Sequence, residues 1–153
     1  MPEVQATPDV EASVRVGEDR EMGAFTIAEL AYLAERRLAR VATVGGNGTP
    51  HVTPVGMWFY NAEQDTLDVT GRGFANTKKY RDVSLTGQAA IVIDDLASTD
   101  PWRPRGVEVR GRAHAVSEPQ PLIRIHPDRV ISWGLVTTPP HSTGLARASI
   151  AAG

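Results

Sequence analysis

Apolar residues recur along the chain in two periods, and the switch between them divides it. Ile27, Leu30, Ala31 and Ala34 fall at helical intervals behind Thr26-Ile-Ala-Glu29, which has the spacing of a capping box; a short amphipathic helix is predicted from about Ile27 to Arg36. From Leu38 the chain reads as strands. Leu38 to Val44 places Leu38, Arg40, Ala42 and Val44 on one face, and Gly45-Gly-Asn-Gly48 supplies the positive φ that a hairpin turn needs. A longer strand is expected from about Pro50 to Tyr60, with Pro54 and Gly56 marking a bulge or an edge. Asn61 to Asp65 turns the chain into a third strand, Thr66 to Thr70. Gln88 to Ile93 is nearly continuous in apolar residues, the pattern of a strand covered on both faces.

Asp94 to Arg105, with two prolines, is expected to be a loop. The strand Gly106 to Val116 alternates cleanly: Val107, Val109, Gly111, Ala113 and Ala115 on one face, Glu108, Arg110, Arg112 and His114 on the other. Leu122 to His126 and Val130 to Trp133 read as a last strand pair or one bent strand around Pro127. One leading helix, about six short antiparallel strands and one interrupting helix predict a mainly β, α+β domain, a closed or split β-barrel. Residues 1–24 lack periodicity and are expected to form a loose arm; 25–135 form the folded domain, and 136–153 a tail.

Composition narrows the class. A chain of 153 residues fits one domain. A net charge of −2 argues against a general nucleic-acid binder. No apolar run approaches the ~18–20 residues of a membrane span, so a soluble, cytoplasmic protein is the expectation. The absence of cysteine removes disulfides, thiolate metal sites and cysteine nucleophiles. The histidines (His51, His114, His126 and His141) are scattered, and no metal site is expected. There is no Gly-x-Ser-x-Gly elbow, and Gly71-Arg-Gly-Phe-Ala-Asn76 lacks the third glycine of a dinucleotide fingerprint. Asp94 and Asp95, being adjacent on an extended chain, point to opposite faces rather than forming an acid–base pair. Trp102 and Trp133 suit either a core position or the cover of a flat aromatic ligand.

What remains is Gly71 to Asp82, which packs Arg72, Lys78, Lys79 and Arg81 together. Asn76 or Thr77 has the character of a helix N-cap, placing Lys78 and Lys79 in a first turn where the helix dipole favours negative charge. A bound anion resolves that conflict, because lysines and free backbone amides then converge on it. The competing reading is a solvated basic loop.

Four segments, in this order and spacing, resemble a known family. They are Leu38-Ala-Arg-Val-Ala-Thr-Val44 followed by Gly48-Thr-Pro-His-Val-Thr-Pro-Val55; Asn76-Thr-Lys-Lys-Tyr-Arg-Asp-Val83; Arg105-Gly-Val-Glu-Val-Arg-Gly-Arg112; and Ile123-Arg-Ile-His-Pro-Asp-Arg-Val-Ile-Ser-Trp-Gly134. The chain is similar to the split-barrel flavin and deazaflavin oxidoreductases, the superfamily that includes pyridoxamine 5′-phosphate oxidase, and most closely to its branch dependent on the deazaflavin coenzyme F420. The resemblance implies a split β-barrel and a homodimer with sites at the interface. It implies that His51, Val52, Thr53, Pro54 and Val55 run under the tricyclic ring. Thr70 and Lys78, with Lys79 second, would hold the phosphate beside Arg72, Asn76 and Thr77, and Trp133 would reach a site shared with the other subunit.

Three departures matter. Gly106 replaces the glutamine of many pyridoxamine-phosphate oxidases, Arg110 stands where they have an acid, and their C-terminal Arg-Leu-His motif is missing. The resemblance therefore implies an F420-dependent oxidoreductase that passes hydride to a small unsaturated acceptor, with His51 or solvent as the proton source. The alternatives are an FMN-binding oxidoreductase of the same fold, a non-catalytic flavin or deazaflavin carrier, and a haem-binding protein.

Overall fold

The structure, a computed structural model, describes residues 23–136, so nearly all of the expected arm and tail lies outside the described residues. Helix α1 (Ile27–Ala34) begins on a reciprocal cap: the Glu29 N–H donates to Thr26 Oγ1 at 3.1 Å, and the Thr26 N–H donates to Glu29 Oε1 at 2.9 Å. Eight strands and a second helix follow. They are β1 (Ala39–Val44), β2 (Pro50–Val55), β3 (Trp58–Asn61), β4 (Thr66–Val69), α2 (Lys78–Thr86), β5 (Gln88–Thr99), β6 (Trp102–Val116), β7 (Leu122–Ile125) and β8 (Arg129–Trp133). The strands form one antiparallel sheet in the order β2-β1-β5-β6-β7-β4-β3, with β8 also paired to β6.

This corrects the expected split barrel of about six strands: the fold is α+β, and its sheet does not close. The two end strands, β2 and β3, follow one another in sequence with only Gly56 and Met57 between them, yet they are not hydrogen-bonded to each other. Pro50 and Pro54 withhold two N–H donors from β2, which suits an edge and opposes further pairing.

A second correction concerns Asp94 to Arg105. These residues are strand, not loop: β5 and β6 form one long hairpin that stays in register from Gln88↔Arg112 to Thr99↔Trp102, with a bulge between Leu96 and Ser98. The β5 run is also not covered equally on both faces. Ala89, Ile91 and Ile93 are buried, whereas Gln88 is exposed and Ala90 and Val92 are half-buried. The alternation expected along β6 holds, with Val107, Val109 and Ala113 in the core and Arg110, Arg112 and His114 exposed.

Strand β6 is the spine because it serves two partners on one edge. Gly106 to Arg110 pair with β8, and Ala113 to Val116 pair with β7. The connection from β7 to β8 runs along the same edge between these stretches and packs on Gly111, where a Cβ would lie 1.9 Å from the His126 carbonyl oxygen. Only glycine allows that approach.

Leu67, Ile91, Ile93, Val107, Val109, Ile123 and Ile125 form the centre of the core. Two buried or half-buried carboxylates brace it. Asp68 is fully buried and accepts from Arg124 at 3.1 Å, Asn61 at 3.0 Å and Thr66 at 2.8 Å. Asp95 accepts from both Arg105 nitrogens at 2.7 and 2.9 Å, from Arg36 at 2.9 Å and from the Tyr32 hydroxyl at 2.8 Å, which fastens α1 to the long hairpin. Asp94 points the other way, to Arg40 at 2.8 Å, as adjacent strand residues must.

Candidate functional site

The basic stretch folds into a turn of 3-10 helix, Phe74–Asn76, followed directly by α2. Thr77 is the N-cap, accepting from the Tyr80 N–H at 3.3 Å and donating to the Phe74 carbonyl at 2.7 Å. Of the two cap candidates, the chain uses this one, and Asn76 instead accepts from Arg81 through its carbonyl at 2.6 Å. Lys78 and Lys79 therefore do occupy the first turn, where backbone N–H groups lack acceptors within the helix. At the other end Gly87 (φ +66°) terminates α2, and its N–H returns to the Val83 carbonyl at 2.9 Å. Buried Val83 packs under the helix, and the Thr86 hydroxyl donates to the Val44 carbonyl of β1 at 3.0 Å. These contacts set the head of α2 against β1 and the turn after β4.

The two lysines differ in their surroundings. Lys78 Nζ donates to Asp82 Oδ1 at 3.0 Å, one helical turn on, with its side chain about half exposed. Lys79 Nζ lies 5.3 Å from the centroid of the Phe74 ring, and burial lowers its pKa. Among the described residues no carboxylate pairs with Lys79. Asp82 is buried and holds a second partner, Thr43, whose hydroxyl donates to Oδ2 at 2.8 Å. Burial works to raise the Asp82 pKa, but the hydrogen bonds from Lys78 and Thr43 outweigh it and leave the group below its ordinary value. The i,i+4 spacing of Lys78 and Asp82 was legible in the sequence; the role of Thr43, on a different element, was not.

Strand β2 supplies the other side. His51 pairs across to Thr43, and Thr53 to Val41, so both face inward beside Asp82, while Val52 and Pro54 face outward and are exposed. Val55 is buried in the core. His51 Nδ1 is buried with no hydrogen-bond partner. The far edge of β2 carries no strand, so backbone groups along it are available to a ligand.

The remaining predicted residues are less closely gathered. Thr70 ends β4 with its hydroxyl donating to the Pro121 carbonyl at 2.8 Å, and Arg72 is exposed. Trp133 sits on β8 opposite Gly106, its ring occupying the space a Cβ would take there (2.6 Å to Cζ2). Two scattered histidines do converge: His126 Nε2 and His114 Nδ1 are 3.0 Å apart with the rings edge to face, and burial followed by the charges of His114 and Arg112 lowers the His126 pKa. Among the described residues no three histidine, aspartate or glutamate side chains come together to hold a metal, and no helix is long and apolar enough to cross a membrane. A cavity of about 350 Å³ between α1 and β3 is lined by Leu30, Leu33, Trp58, Phe59 and Tyr60 and contains none of the predicted site residues.

Lys78, Asp82, Thr43 and His51 thus gather in one polar cluster where α2 meets the β1–β2 hairpin. Residues 25–134 match the family model described as pyridoxamine 5′-phosphate oxidase, and the chain belongs to that family. A relative, the 5a,11a-dehydrotetracycline/5a,11a-dehydrooxytetracycline reductase of Streptomyces rimosus, is 37% identical over 120 residues, spanning 72% of this chain and 84% of that one. Among solved structures, a conserved hypothetical protein of Mycobacterium tuberculosis superposes with a TM-score of 0.60 at 18% identity, covering 80% of this chain and 88% of that one. The heme storage protein HutZ of Vibrio cholerae superposes at 0.56 with 14% identity, covering 69% and 92%.

Proposed function

We propose that this chain is an oxidoreductase that uses a flavin-class coenzyme to reduce a conjugated carbon–carbon double bond in a small oxygenated acceptor. The observation that carries the proposal is the head of α2, where two lysines replace the acidic residues a helix start favours, one of them half-buried and, among the described residues, without a carboxylate partner. A coenzyme phosphate supplies the missing negative charge. The acceptor class is suggested by the reductase relative, which is named for dehydro compounds. FMN is the coenzyme that membership of the oxidase family supports more directly. F420 rests on the sequence resemblance, on Gly106 and Arg110 in place of the oxidases' glutamine and acid.

When bound in reduced form, a coenzyme of this class supplies hydride to an electron-poor carbon. The chain's part is orientation. Lys79 and Lys78 neutralise the phosphate, Thr77 keeps the helix head in place, and the His51–Val55 strand sets the plane of the ring. Val52, Pro54 and Trp133 lie on outward sheet positions, and a second copy of the chain laid over that face would enclose the ring and acceptor. The physical fit is in the donor set: cations and helix amides for a phosphate, and an unpaired strand edge for the ring's polar rim.

The test is a titration of the purified protein with FMN and with F420 at matched ionic strength, followed by absorption, and then turnover of the reduced complexes against a panel of enones. Micromolar binding of one coenzyme with loss of the acceptor double bond is the expected result. Binding of neither, with a Soret band on addition of haem, overturns the proposal in favour of a haem-binding protein. Binding without turnover leaves a carrier.

A further inference from the structure

The Lys78–Asp82 pair conflicts with a lysine devoted to an external anion, and the surroundings of Asp82 suggest how the conflict resolves. We propose that Asp82 holds Lys78 in reserve, and that His51 takes the place of Lys78 on Asp82 when an anion draws the lysine to the head of α2. The proposal rests on the phosphate reading above. Asp82 is almost fully buried (side chain 4% exposed), whereas Lys78 is 48% exposed and free to swing. If the lysine simply left, the carboxylate would keep only the neutral Thr43 hydroxyl on Oδ2, and a buried charge stripped of its cation is strongly unfavourable. A replacement donor is required, and it must come from within the fold.

His51 is the residue in position. It stands directly across from Thr43 in the β1–β2 register, so both side chains leave the sheet on the face that carries Asp82. Its Nδ1 is already out of solvent and bonded to nothing. The charged groups α2 brings to this face are Asp82 and Lys78, and β1 brings only neutral Thr43. The hairpin backbone passes close by at Gly45, where a Cβ would stand 3.3 Å from Asn47 Oδ1, 3.4 Å from Asp82 Oδ1 and 3.5 Å from Lys78 Nζ. In the exchange the charges balance: the ammonium of Lys78 moves to the anion, and His51 takes one proton from solvent and donates it through Nδ1 to the freed Oδ1. Anion binding is thereby coupled to the uptake of one proton.

Two measurements decide this, one of them without any ligand. In the ligand-free protein, the His51 pKa is followed by proton–nitrogen NMR in the wild type, Lys78→Met, Asp82→Asn and the double variant. The methionine keeps the stem and removes the charge. The expected result is a rise on Lys78→Met that depends on Asp82, so that the same substitution in the Asp82→Asn background gives a much smaller rise. Equal rises in both backgrounds overturn the proposal, because only the loss of the lysine charge would then be felt. Second, calorimetric titration with FMN in two buffers of different ionisation enthalpy gives the protons taken up. The wild type is expected to take up close to one proton per FMN just above neutral pH, and His51→Gln none beyond the coenzyme's own. FMN binding without proton uptake overturns the exchange and leaves the phosphate reading standing. No FMN binding overturns the phosphate reading, and the NMR comparison still decides whether His51 and Lys78 compete for Asp82.

Discussion

Asp95 and Asp82 are both poorly exposed carboxylates at the contact of a helix with the sheet, and they are built to different ends. Asp95 accepts four hydrogen bonds, from Arg105 twice, Arg36 and Tyr32, so its lone pairs are fully used. Tyr32 comes from α1, Arg36 from the residues just after it, and Arg105 from β6. The Arg105 guanidinium, ahead of the opposing effect of burial, holds the Asp95 pKa down to about 2. Asp82 has two partners, one of them a half-exposed lysine on its own helix, and an unpaired imidazole stands on the facing strand. The saturated cluster fastens one element to another. The unsaturated one has room for exchange, and it lies at the helix head where an anion is favoured.

That contrast can be broken in four ways. The largest effect is expected from Asp95→Ala, which leaves Arg36 and Arg105 without their shared anion and should cost about 2–4 kcal/mol in denaturant unfolding, the lower end reflecting partial solvent access. A cost under about 1 kcal/mol would make Asp95 as dispensable as a surface charge. Acid titration comes next. The Asp95 carboxyl is more acidic folded than its ordinary value of 3.8, so the unfolded chain binds more protons and stability falls with falling pH. This contribution is complete above about pH 5 and lost by about pH 1, and is worth about 2 kcal/mol; Asp95→Asn should flatten that part of the stability curve.

Lys78→Ala should separate binding from folding. FMN affinity is expected to weaken by about 1–3 kcal/mol, the scale of a lost charge-assisted hydrogen bond, while His51, taking over the buried Asp82 carboxylate, limits the change in stability to about 1 kcal/mol. A variant that binds normally but unfolds easily would place Lys78 with Asp95 among the structural residues. The smallest effect is expected from Arg72→Ala. The side chain is exposed, and stability should stay within about 0.5 kcal/mol. A loss of affinity as large as that of Lys78→Ala would extend the anion site back into the turn before α2.

Several parts of this molecule were legible in the sequence because they depend on neighbours in the chain. The capping box of α1, the Thr77 cap with lysines in the first turn of α2, and the two faces of β6 each follow from residues within one or two turns or one strand. The family itself was legible for the same reason, since its segments are local motifs in a set order. Other parts depend on which strand lies beside which, and local pattern is silent on that. Asp94 to Arg105 carry loop-like residues, yet the ladder between β5 and β6 and the Asp95–Arg105 pair make them strand. That β7 and β8 do not pair with each other but follow one another along one edge of β6, with their connection packed on Gly111, is also a matter of register. The open sheet is likewise a matter of partners: β2 and β3 follow one another in the chain but do not pair.

The candidate site divides along the same line. By itself the sequence determined that a helix would start with two lysines next to a strand, because cap, charge and spacing are short-range properties. Only the tertiary structure decided that Lys78 is held by Asp82, that Asp82 is shared with Thr43 from 39 residues away, and that His51 waits beside them. The reason is physical: a buried carboxylate takes whatever donors the fold brings within hydrogen-bond reach, and those donors are chosen by strand register rather than by proximity in the chain.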